Sequence, residues 1–384
     1  MRRVRRTRGI SNRRLSFPQA DNLHVSPQET LIARDRAAGK LGPPLNVTGS
    51  RVVLQVVKRW DSTGLDPRAR RIVAALSGPT SFAASTAEAA REAYRRSRAP
   101  YLWPLDEVAD VCAPETGGGA PPMRLFRSLA RAPSGLPQTY VFLHGGGWTV
   151  GDLSTYEPLC RRLARALRAD ILWVDYRLAP EHPFPAALDD ALAACRRLFA
   201  NAAEFGLDPN NVGVIGDSAG ANLAAVAATL NANGELGAGF AAQILIYPCL
   251  DLTRRHRSHA DLAEGFLLTK AVYDWYVGNY LAGHGAEDPR VSPLLKPDFS
   301  GLAPAIVLHA GFDPLRDEAI AYVARLRRAG VPVKEIAFAD MIHGFVNMGA
   351  ALPQAGDALD CIGAALQALL AKAPRARSAS SCAP

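Results

Sequence analysis

From about residue 139 onward, short runs of Val, Ile and Leu alternate with longer stretches in which apolar residues recur every three or four positions. The short runs, at 140–143, 171–174, 212–215, 244–246, 305–308 and 333–338, have the near-continuous apolar character of strands buried on both faces. Between them Leu159, Leu163, Ala166 and Leu167, then Leu188, Leu192, Cys195 and Leu198, then Ile320, Val323, Leu326 and Ala329 keep helical spacing. The alternation predicts parallel strands joined by crossover helices, an α/β class fold. Met123 and Leu125, either side of Arg124, suggest an antiparallel edge strand. Before about residue 100 the pattern changes to a small helical appendage: Asp66 and Pro67 read as cap and first residue of one helix, and Ser85 with Glu88 as a capping box ahead of a helix over 89–96. A second insertion follows the strand ending near Tyr247. There Thr269 is positioned to cap a helix running to about Leu281, and Phe266, Tyr273, Trp275, Tyr276 and Tyr280 form an aromatic stripe, either buried between helices or walling a ligand. Gly117 to Gly119, among prolines, mark a turn rather than a phosphate loop, since no strand precedes them and no helix follows.

Length and composition narrow this picture. With 384 residues, 48% hydrophobic and 21% charged, the chain can bury a large core, which excludes wholesale disorder and fibrous repeats. No apolar run approaches the ~18 residues needed to cross a bilayer. The N-terminus lacks a secretory apolar region, so a soluble cytoplasmic protein is expected. The net charge of +8 is nearly all in Arg2, Arg3, Arg5, Arg6, Arg8, Arg13 and Arg14, ahead of the first acidic residue, Asp21. This block reads as a solvated arm or an early start, ahead of an RNA- or membrane-binding arm, so neither nucleic acid nor membrane is expected as a partner. Arg13 and Arg14 resemble a twin-arginine export signal, but no apolar segment follows. The six cysteines are scattered without zinc spacing and read as reduced thiols.

Gly216-Asp217-Ser218-Ala219-Gly220 is a GxSxG sequence between a predicted strand and an Ala-rich helical stretch. That context is what a nucleophile elbow requires, with glycines letting strand and helix pass closely around an exposed serine. His144-Gly145-Gly146-Gly147-Trp148 follows an upstream strand; its backbone N–H groups can approach a substrate oxygen, so Gly145 and Gly146, with Ala219, are the expected oxyanion hole. A serine nucleophile needs a base and a carboxylate to orient it. His343, after the last predicted strand, and Asp313, after the one before it, supply these in the order Ser218, Asp313, His343. Asp317 and Glu318, one helical turn beyond Asp313, remain rivals for the carboxylate role, and Asp340 reads as a surface or hydrogen-bonding residue. His256 and His259, among Arg254, Arg255 and Arg257, read as a solvated basic stretch rather than a metal site. Trp148, Asp217, Phe266 and Leu267 are candidates for the pocket wall.

These blocks, with Asp175-Tyr176-Arg177-Leu178-Ala179-Pro180-Glu181-His182-Pro183-Phe184-Pro185 and His343-Gly344-Phe345, resemble the hormone-sensitive-lipase-like esterases, bacterial family IV, of the α/β-hydrolase superfamily. The resemblance runs from roughly residue 66 to 350. It implies an α/β-hydrolase fold with a mostly parallel central sheet flanked by helices and covered by a helical cap. It also implies hydrolysis of short to medium acyl esters by Ser218, Asp313 and His343, with a small-molecule ester as partner and no metal or organic cofactor. Homodimers occur in such families, and the 176–185 block serves architecture there. The expected organisation is a basic tail over 1–20, a cap region over 21–100, a core over 101–250 and 285–372, a second cap segment over 251–284, and a flexible end over 373–384. Ala221 departs from the family pattern, which has glycine there; its methyl favours helix but crowds the neighbouring strand. The rivals are an amidase or peptidase on the same scaffold and a non-catalytic small-molecule receptor.

Overall fold

A computed structural model of the chain describes residues 30–32, 64–76, 86–98, 108–112, 120–133 and 136–371. The arginine block, Ser85, the Gly117–Gly119 turn and residues 373–384 lie outside the described residues. In chain order the strands are β1 (Thr30–Ile32), β2 (Val108–Cys112), β3 (Met123–Ser128), β4 (Thr139–Leu143), β5 (Asp170–Val174), β6 (Val212–Asp217), β7 (Ala242–Ile246), β8 (Ala305–Phe312) and β9 (Val333–Ile342). The helices are α1 (Pro67–Leu76), α2 (Ala87–Ser97), α3 (Leu153–Leu167), α4 (Ala186–Ala200), α5 (Ala219–Ala232), α6 (Ser258–Asp261), α7 (Lys270–Leu281), α8 (Arg316–Arg328) and α9 (Gln354–Leu370).

The strands form one sheet in the order β1-β9-β8-β7-β6-β4-β5-β3-β2. Pairing is parallel from β1 through β5, and antiparallel for β3 on β5 and β2 on β3. This is the α/β-hydrolase architecture. The continuous apolar runs follow from burial on both faces: β4 sends Tyr140 and Phe142 into one core layer and Val141 and Leu143 into the other. The first layer lies under α3 and α9, the second under α4, α5 and α8. Helix α5, wedged in the centre, is buried from Ala219 through Ala228, and its alanines leave room for neighbours on every side.

Two expectations need correction, and one helix was not predicted. β3 is not the edge strand, because β2 pairs outside it. Helix α2 is capped by Thr86, whose hydroxyl accepts from Ala89 N at 3.2 Å, rather than by a Ser85–Glu88 box. Helix α9 went unread, although Ala358, Leu359, Ile362, Ala365, Leu366 and Leu369 form its buried stripe at helical spacing.

The caps at Asp66 and Thr269 are present: Asp66 Oδ1 accepts from the Arg68 and Ala69 amides at 2.7 and 3.1 Å, and Thr269 Oγ1 from Val272 N at 3.3 Å. Asp66 also joins distant parts of the chain, its N–H donating to Asp340 O and its Oδ2 accepting from Gln354 Nε2, both at 3.0 Å. From α2, Arg91 donates to Thr149 O at 2.9 Å and Ala179 O at 3.0 Å and pairs with Glu181 at 2.6 Å. Arg95 pairs with Asp152 at 2.6 Å. The second insertion is anchored by Tyr280, stacked on Trp148 with ring centroids 4.1 Å apart. Among the described residues no helix is long and apolar enough to cross a membrane.

Candidate active site

Strand β6 delivers Ser218 to the carboxyl edge of the sheet, and α5 starts immediately after it. The turn is so tight that a Cβ at Gly220 would sit 2.0 Å from Leu143 O, and one at Gly216 2.3 Å from the Gly220 carbonyl carbon. Ser218 itself is held at φ 54°, ψ −119°, in a region side-chain-bearing residues rarely adopt. Its N–H donates to Ile246 O at 2.8 Å, which fixes the strained turn to β7.

His343 stands on the turn after β9 and Asp313 directly after β8, where the pairing of these strands slips between Ala310 and Phe312. Ser218 Oγ donates to His343 Nε2 at 2.9 Å, and His343 Nδ1 donates to Asp313 Oδ2 at 2.7 Å. The other Asp313 oxygen accepts from Leu315 N at 2.9 Å, so the carboxylate is fully buried yet satisfied on both oxygens.

The rival carboxylates have other partners. Glu318 accepts from Leu250 N at 2.9 Å and Asp251 N at 3.1 Å, pinning the segment that leaves β7. Asp317 accepts from Ser258 N at 2.9 Å. Asp340, through its carbonyl, accepts from Asp66 N at 3.0 Å. The basic stretch after β7 is only half as expected. Arg254, Arg255 and Arg257 are exposed, but His256 lies 3.3 Å from Asp251 and His259, turned inward, 3.5 Å from Glu318. Carboxylates inside the fold draw the two imidazoles in. Among the described residues no group of three or more His, Cys, Asp or Glu side chains is placed to hold a metal ion.

The glycine loop departs from expectation in one respect. Gly145 N already donates to Asp217 Oδ1 at 2.8 Å, so it is not free to meet a substrate oxygen. Gly146 and Gly147, with Ala219, do line the cavity, whereas Gly145 does not. Gly147 must be glycine, since a Cβ there would lie 2.1 Å from the Tyr276 ring. His144 is packed flat on Tyr176 at 4.2 Å and its Nδ1 donates to Gly145 O at 2.7 Å, while Tyr176 OH donates to His144 O at 2.5 Å. Tyr176 thus supports the loop from below. Burial pushes the His144 imidazole down to about 4, so it is neutral at pH 7.

Asp217 is buried, and its second oxygen accepts from Asn347 Nδ2 at 2.8 Å and from Tyr156 OH at 3.3 Å. Burial raises its carboxyl, against the pull of the Gly145 N–H, the Arg98 charge and the Asn347 amide. Its work is to hold the glycine loop and the turn after His343 together.

The cavity over Ser218 encloses about 340 Å³. Trp148, Asp217 and Leu267 lie on its wall, but Phe266 does not. The chain takes Leu267 at φ 72°, and Phe266 packs instead on Phe312 with centroids 5.2 Å apart. One side is apolar, with Leu268, Val272, Tyr276 and Val277. The other carries Tyr94, Arg98, Tyr156 and Asn347, none of which sequence reasoning singled out. Asn347 could have been found from its position one turn past His343, and Tyr94 with Arg98 from their spacing of four at the C-terminal end of α2.

A family model described as the α/β hydrolase fold matches residues 140–347. The carboxylic ester hydrolase LipN of Mycobacterium tuberculosis is 44% identical over 248 residues, 63% of this chain and 65% of LipN. The chain thus spans just under two thirds of LipN's length. The ethyl acetate hydrolase of Pseudomonas putida is 36% identical over 286 residues, 73% of this chain and 90% of that enzyme. Among solved structures, the ester hydrolase EH1AB1 from the Lake Arreo metagenome, complexed with a bipyridine phosphonate derivative, superposes with a TM-score of 0.72 at 38% identity, covering 79% of this chain and 98% of that one.

Proposed function

The chain belongs to the α/β-hydrolase family, in its hormone-sensitive-lipase-like branch, and on that footing we propose that it hydrolyses carboxylic esters of short to medium acyl chains with Ser218 as nucleophile. The observation that carries the mechanism is the unbroken line of hydrogen bonds from Ser218 Oγ through His343 to Asp313. His343 takes the serine proton as Oγ attacks the ester carbonyl, and Asp313 holds the imidazole in the right tautomer and stabilises its cation. The developing oxyanion is received by the N–H groups of Gly146, Gly147 and Ala219, with Gly145 as the fixed support of that loop rather than a donor. His343 then protonates the leaving alcohol, and water, activated by the same base, releases the acid and regenerates the serine.

A cytoplasmic setting belongs to the same reading, supported by Cys160, Cys195, Cys249 and Cys361, which are free thiols. The test is a series of p-nitrophenyl esters from about two to twelve carbons, with turnover expected to fall off beyond roughly ten because the cavity is finite. Ser218→Ala should lower kcat by at least about 10⁴-fold. A wild-type protein inactive across the series, or a variant with undiminished turnover, would refute the proposal.

A further inference from the structure

We propose that Arg98 makes the polar side of the cavity a carboxylate-binding subsite, so that the preferred substrates are esters that also carry a free carboxylate. The inference deepens the ester-hydrolase reading and rests on it.

A guanidinium has five N–H donors in a rigid fork suited to a carboxylate. Two hydrogen bonds engage that of Arg98, to Asn347 O at 3.1 Å and to Tyr94 OH at 3.2 Å. Its Nε is enclosed, with no acceptor. Among the described residues no carboxylate lies within ion-pair distance of it, which is uncommon for a guanidinium drawn this far inside a protein. The carboxylate of the same wall, Asp217, already accepts from Gly145 N, Asn347 Nδ2 and Tyr156 OH.

Arg98 is also held in place rather than left to wander. Its guanidinium carbon sits 4.7 Å above the Tyr94 ring, and Tyr94 OH in turn donates to Tyr156 OH at 3.0 Å. Arg162, on the same wall, donates to Val346 O at 3.3 Å, so two guanidiniums flank the turn that follows His343. The cavity wall therefore carries, in Arg98, a fixed cation with donors to spare beside an aspartate whose oxygens are both occupied. In a low-dielectric pocket such a cation attracts an anion and orients it.

The carboxylate could sit on the acyl or the alcohol part of the ester, and the experiment separates the two. Hydrolysis is followed by proton release for two pairs that set a carboxylate against a methyl group: monomethyl adipate against methyl hexanoate, and 4-butyryloxybenzoate against p-cresyl butyrate. In wild type, at least one anionic member should exceed its neutral counterpart in kcat/KM by tenfold or more. That ratio should fall about tenfold to a hundredfold in Arg98→Met and recover in part in Arg98→Lys. Using the ratio removes damage common to both substrates, because loss of the Asn347 contact alone lowers both members alike. Wild-type ratios at or below one in both pairs, with the neutral esters turned over, overturn the subsite while leaving the esterase reading intact. So does a ratio that survives Arg98→Met. No turnover of any of the four esters removes the esterase reading and the subsite with it.

Discussion

His144 is neutral at pH 7 because it is sealed between aromatic rings, and this has a measurable cost in acid. Its imidazole is held at about 4 in the folded chain against an ordinary 6.5, so between those values the unfolded chain binds a proton that the folded chain refuses. Stability from this residue is intact above pH 6.5 and is lost as the pH falls toward 4. Relative to His144→Gln, which cannot titrate, wild type should lose about 2 kcal/mol of unfolding free energy between pH 7 and 5, as read by urea melts. Parallel pH dependences of the two proteins would contradict the assignment. Asp217 gives a second prediction. Asp217→Ala releases Gly145 N and the Asn347 amide together, so kcat for a neutral ester should drop about 10- to 100-fold with KM little changed, as steady-state kinetics will show. The sequence made Ser218, Asp313 and His343 legible because each sits in a local block beside a strand end. It could not show that Gly145 is spoken for, because its partner lies 72 positions away and nothing in either local pattern records the pairing.

Elements were legible where period and burial agreed, as in β4 to β9, whose cores read as apolar runs. Boundaries ran long where a strand continued past its apolar stretch into the site: β8 reaches Phe312 and β9 reaches Ile342, carrying Asp313 and His343 to the cavity. Edge status was not legible, since pairing by β2 leaves no mark on the alternation of β3. The elbow shows how little slack exists between elements. Gly220→Ala places a methyl 2.0 Å from Leu143 O, and neither partner is a side chain that can swing away. This variant should lose more than about 3 kcal/mol of stability and be recovered mainly in aggregates on expression. Ala221, one position on, is buried within α5. Ala221→Gly should cost only about 1 kcal/mol, roughly 2 °C in Tm by calorimetry, with activity preserved.

At the scale of the whole molecule, helices α1 and α2 are attached by a few long-range polar ties that no periodicity announces. Arg91 is the chief of these for α2, reaching Thr149, Ala179 and Glu181 at once. Arg91→Ala should speed amide exchange across residues 87–97 about tenfold or more while β4 to β8 keep their rates, a difference mass spectrometry resolves. Equal acceleration everywhere would mean that Arg91 supports the fold as a whole. The knot at Asp66 carries a consequence for biosynthesis. The amide of Asp66 is held by Asp340 and its side chain by Gln354, so these two ties of the early helix α1 cannot form until those residues leave the ribosome. The entry to α1 therefore waits for the far end of the polypeptide, and its last tie closes only once nearly three hundred later residues have been translated.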